Sequence, residues 1–164
     1  MNRRHALPAA IALVLTLSGC GLFGKDKPLQ VKSPDDVKAE IAAVLQQILD
    51  DATPGTTRKD NGVSIAPCGD GDANPDGRFD AVSSWVLFPP EQQTVPMIDA
   101  MPDKWKAHGW TILENGMLND KVRRLRAETP NHYGIIISDN TNGTAGVLIS
   151  SDCYRPPNPD MVHF

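Results

Sequence analysis

The chain has 164 residues, 22% of them charged, with 16 Lys and Arg against 20 Asp and Glu for a formal net charge of −4. That length suits one domain, and the acidity argues against nucleic acid and against a polybasic membrane patch. Fourteen Pro and 13 Gly point to many turns between short elements.

The chain opens on Arg3 and Arg4 followed by an apolar run over 6–17 that contains Pro8. The run is well short of the roughly 20 residues a membrane-spanning helix needs, and no later segment is longer or more apolar. A basic start, a short apolar core and small residues before a cut make 1–19 a secretory signal peptide. Asn2 and His5 suit a twin-arginine leader poorly, so general secretion is expected. A cysteine follows the cut, and Leu17-Ser18-Gly19-Cys20 resembles the lipobox of bacterial lipoproteins. The resemblance implies a diacylglycerol on the Cys20 sulfur and a protein held on the outer face of the cell membrane. Two or three acyl chains suffice for that, because each buried methylene contributes about 0.8 kcal/mol. The alternative is a secreted protein whose leader happens to end near a cysteine. Residues 20–32 then form the lipidated cysteine and a tether, broken by Gly21, Gly24 and Pro28 and kept wet by Lys25, Asp26 and Lys27. Its twelve residues reach at most ~40 Å.

Residues 33–164 read as a single domain. Ser33 is a good N-cap, Pro34 fits the first helical position, and Asp35 and Asp36 suit the positive end of the helix dipole. Val37, Ile41, Val44, Leu45, Ile48 and Leu49 then form one apolar face, and Pro54-Gly55 marks the end. That face could meet a partner or the domain's own sheet. A short strand is expected over 63–68, a polar turn region over 69–77, and a longer strand over 78–88 that stops at Pro89-Pro90. A second helical stretch over about 91–108 carries Val95, Ile98, Met101 and Trp105 at helical spacing; Pro96 and Pro102 shorten or kink it, and Gly109 is placed to cap it. Four strands should follow, over 110–113 (ended by Asn115-Gly116), 122–129, 133–138 and 145–151, with 139–144 a hairpin turn. The tail from Arg155, with Pro156, Pro157 and Pro159, reads as irregular.

Helix, two strands, helix and four strands predict an α+β fold: an antiparallel sheet of five to six strands with two helices packed on one face. Besides Cys20 the chain holds two cysteines, Cys68 and Cys153. Outside the cytoplasm an even remainder reads as a disulfide, which for so long a loop stabilises by roughly 4–5 kcal/mol on the chain-entropy model; two free buried thiols, or a metal pair short of further ligands, are the alternatives. The lipobox, the N-terminal amphipathic helix, Gly109-Trp110 opening a strand, and a final strand running into Ser151-Asp152-Cys153 resemble small actinobacterial lipoproteins, the mycobacterial LppA-like group among them. The resemblance implies a fold and an address, and brings no catalytic residues with it.

Chemistry is sparse in the pattern. Asp70, Asp72, Asn74, Asp76 and Asp80 could surround a calcium ion, and the opening follows an EF-hand loop. Yet Pro75 stands where the turn glycine belongs and Ala81 where the closing glutamate belongs, and the same residue types build plain turns. Trp85, Trp105 and Trp110 could line a ligand pocket between the second helix and the sheet, or form the core. Arg123, Arg124 and Arg126 are the basic cluster, with 124 and 126 on one strand face for an anionic ligand or for solvent. His108, His132 and His163 have no zinc-ligand spacing, and neither a nucleophile elbow nor a cofactor fingerprint appears. The expectation is a non-enzymatic envelope domain that uses no cofactor, with the membrane and an unidentified envelope protein or ligand as partners. A small-ligand or lipid carrier is the first alternative, and an enzyme of unrecognised type the second.

Overall fold

The computed structural model describes residues 29–68 and 76–162. The first helix, α1 (Pro34–Asp51), begins with a capping box: the Ser33 hydroxyl accepts from the Asp36 amide at 3.1 Å, while the Asp36 carboxylate accepts from the Ser33 amide. Its predicted stripe turns inward, with Val37, Ile41, Leu45 and Ile48 fully buried. The strands are β1 (Thr57–Pro67), β2 (Phe79–Phe88), β3 (Thr111–Leu118), β4 (Val122–Glu128), β5 (Gly134–Asp139) and β6 (Ala145–Ser150). They form one antiparallel sheet in the order β1-β2-β6-β5-β4-β3. The fold is α+β, with the helices on one face of six strands.

The second helical stretch is two short helices, α2 (Thr94–Asp99) and α3 (Met101–Ala107). Pro96 falls in the first turn of α2 and Pro102 in the first turn of α3, where their missing amides cost no helical bond. The break falls at Ala100 between them. At the far end Gly109, at φ +79°, adopts the left-handed conformation, donating to the Lys106 carbonyl while Trp110 donates to the Trp105 carbonyl. That pairing closes a Schellman motif, and the Trp105 and Trp110 rings meet across it at 5.0 Å.

Two strands differ from expectation. β1 starts six residues earlier than the apolar alternation at 63–68 suggests, because Arg58, Lys59, Asp60 and Asn61 lie on an exposed sheet edge where no inward face demands apolar residues. β3 runs through Asn115-Gly116, with Gly116 paired to Arg124; the turn comes instead at Asn119 and Asp120, both at positive φ. Asn115-Gly116 satisfies the local turn preference, but pairing with β4 overrides it.

Cys68 and Cys153 are joined in a disulfide, Cα–Cα 6.0 Å. It ties the segment after β1 to the segment after β6 at one end of the sheet. The C-terminal tail is stitched there as well: Tyr154 exchanges backbone hydrogen bonds with Phe79 at 3.0 and 2.7 Å. A 3-10 turn, Pro159–Met161, follows.

Candidate functional site

Among the described residues a cleft of about 290 Å3 lies between α1, the end of α3 and the β4–β5 turn. Glu40, Val44 and Gln47 face it from successive turns of α1, as i, i+4 and i+7 spacing requires. His108 and Trp110 enter from the Schellman turn, and Thr129, Asn131 and Tyr133 from the β4–β5 turn. The turn is held by the Thr129 hydroxyl, which accepts from the Tyr133 amide at 3.0 Å, and by His132 at φ +64°.

Each end of the cleft carries a fixed polar group. At one, the Glu40 Oε2 atom accepts from Lys32 Nζ at 2.6 Å and from the Tyr133 hydroxyl at 2.7 Å. Lys32 Nζ also sits 4.8 Å from the Tyr154 ring centroid, a cation–π distance. Burial first, and the Glu40 carboxylate second, drive the Tyr133 phenol far above its ordinary pKa, so it stays a donor. Burial disfavours the Lys32 ammonium, but Glu40 and Tyr154 together outweigh it and raise the pKa. At the other end, His108 Nε2 lies 3.0 and 3.2 Å from the two carboxylate oxygens of buried Asp51. An acceptor-only carboxylate makes Nε2 the donor of that contact. Lys104 Nζ donates to the Asp51 carbonyl at 2.6 Å, satisfying a helix-end oxygen. The cleft therefore offers a carboxylate, an imidazole and the amides of Gln47 and Asn131 around an apolar floor, a set suited to hydrogen-bonding a small polar group.

The residues singled out by sequence are placed elsewhere, apart from Trp110. Trp105 is fully buried and Trp85 nearly so, under the Arg58 guanidinium at 4.8 Å. The space between the second helical stretch and the sheet, where the sequence allowed either a pocket or a core, is filled by Met97, Ile98, Met101 and Trp105. Trp110 reaches the cleft beside α1, and Trp85 lines a depression of about 340 Å3 over β2, β5 and β6. Of the acidic loop, Asp70, Asp72 and Asn74 lie outside the described residues, as do Cys20, the leader and His163. Asp76 pairs with Arg155 at 3.4 Å, and half-buried Asp80 belongs to β2, where burial pushes its carboxyl up. Among the described residues no group of three or more His, Cys, Asp or Glu side chains is arranged to hold a metal ion.

The arginines separate by face. Arg124 and Arg126 share the outer face with Glu114, whose carboxylate accepts from Arg124 at 2.7 Å and lies 3.7 Å from Arg126. The Arg124 hydrogen bond holds that carboxyl below its ordinary range. Arg123 turns inward and is buried; it donates to Asp99 at 2.5 Å, to the Gly116 and Arg124 carbonyls, and to the Asn115 side chain. Alternation along β4 put Arg123 opposite its neighbours, but its role in joining α2 to β3 needed the folded chain.

No family model, curated protein or solved structure matches the chain.

Proposed function

We propose that the protein is a lipid-anchored domain of the bacterial cell envelope, held to the outer face of the cell membrane through Cys20 and acting by binding rather than by catalysis. The observation that carries this reading is the Cys68–Cys153 disulfide. Structural disulfides belong to oxidising, extracytoplasmic compartments, which is where the 1–19 leader would deliver the chain. With those two thiols joined to each other, Cys20 is the cysteine left for a lipid.

The cleft beside α1 is the binding site in this reading. Its charged groups are already engaged, Glu40 with Lys32 and Tyr133, His108 with Asp51, which favours presenting fixed donors and acceptors over moving protons. The partner is an unidentified envelope protein or small ligand with polar groups that match Gln47, Asn131 and His108. The resemblance to small actinobacterial lipoproteins points the same way.

The test is fractionation. Cys20→Ala should move the protein from the membrane fraction to the soluble fraction while leaving its fold intact. A variant that stays with the membrane would overturn the anchor.

A further inference from the structure

The chain leaves the domain at one particular end of the sheet. Residues 30–32 lie alongside the C-terminal tail as a strap: the Gln30 carbonyl accepts from the Arg155 amide and the Lys32 amide donates to the Arg155 carbonyl, both at 3.0 Å. Arg155 follows Tyr154, which is bonded to Phe79 at the start of β2. Lys32 then locks the strap down through Glu40 and the Tyr154 ring. This is the end where β2 and β5 begin and where β1, β4 and β6 finish, and it also holds the disulfide and the β4–β5 turn.

Pinning the strap shortens the tether. Between Cys20 and Gln30 only residues 21–29 remain, a reach of roughly 35 Å when fully extended. The other end of the sheet, with the Asn119-Asp120 turn and the β5–β6 hairpin, lies about 33 Å away along the ten residues of β2. A tether leaving at the near end would spend almost its whole reach running beside the sheet before the far end could meet the bilayer. We infer that the strap end is the membrane-facing surface of the anchored domain, and that its partner is the phospholipid headgroup layer. Val31, 61% exposed, and Met161, 48% exposed, put apolar side chains on that surface. Tyr133, Pro130 and Asn131 bring the cleft to the same end, so it opens beside the headgroups. The inference rests on acylation of Cys20.

The test uses the full chain, produced in a host that acylates lipoproteins and reconstituted in phosphatidylcholine–phosphatidylglycerol vesicles carrying an acceptor dye on a headgroup. A donor dye is placed on Asn131→Cys at the strap end or on Lys121→Cys at the far end, with the native disulfide left oxidised. Energy transfer from position 131 should exceed that from position 121 by about threefold or more. Equal transfer, or stronger transfer from 121, in protein that floats with the vesicles overturns the orientation and leaves the anchor standing. Protein that does not float overturns the anchor and the orientation with it.

Discussion

Tyr133 shows how much a single hydroxyl can organise. Its oxygen meets Glu40, which in turn holds Lys32, so one buried phenol links the sheet, α1 and the strap. Tyr133→Phe keeps the ring and removes the donor to a carboxylate. A loss of about 1.5–3 kcal/mol in urea-unfolding free energy is expected. A change within error would show that Glu40 is satisfied without it. Arg123 is a comparable pin toward the other end of the sheet. Neither was visible as a site in the sequence, because a Tyr before a strand and an Arg within one are ordinary residues until their distant partners are known. The alternation of Leu125 and Ala127 against Arg124 and Arg126 was legible, since a strand's period of two needs no tertiary information.

At the scale of elements, the first helix was the most readable part of the chain. Its cap, first-turn proline and apolar stripe are local signals, and all three are realised. Ser33→Ala should cost about 1 kcal/mol, measured as a lower denaturation midpoint, because the Asp36 amide loses its acceptor. The disulfide is a second element-scale device. Replacing both Cys68 and Cys153 by Ala should lower unfolding free energy by roughly 2–5 kcal/mol. An unchanged midpoint would mean that the backbone pairing of Tyr154 with Phe79 alone closes that end. The two strands that sequence misjudged fail for one reason. β1 and β3 are the sheet edges, where exposure relaxes the apolar pattern that marks a strand and lets polar or turn-forming residues pair.

For the whole molecule, acidity has a specific consequence at Asp80. Burial raises its folded pKa above the ordinary 3.8, so the folded state binds more protons than the unfolded state just above that pH. Stability from this group is therefore present in acid and is lost as pH rises through the folded value. Asp80→Asn should raise the thermal midpoint at pH 7, and the gain should vanish below about pH 4. If the 70–80 loop bound calcium, the same substitution would lower the midpoint in calcium relative to chelator, so the two readings predict opposite signs.

Sequence alone determined what depends on neighbours in the chain: the α+β class, the first helix and its cap, the glycine stop at Gly109, the hairpin before β6, and the partnership of two cysteines. Tertiary structure decided what depends on distant pairing. β6 inserts beside β2, so the chain's last strand completes the middle of the sheet rather than an edge. That insertion brings the tail back to residues 30–32 and assembles the cleft from α1, a Schellman turn and the β4–β5 turn. Those parts lie more than ninety residues apart, as with Glu40 and Tyr133 at a separation of 93. A local pattern carries no record of contacts at that range, because each residue's preference is met equally well by many partners until the sheet order selects one.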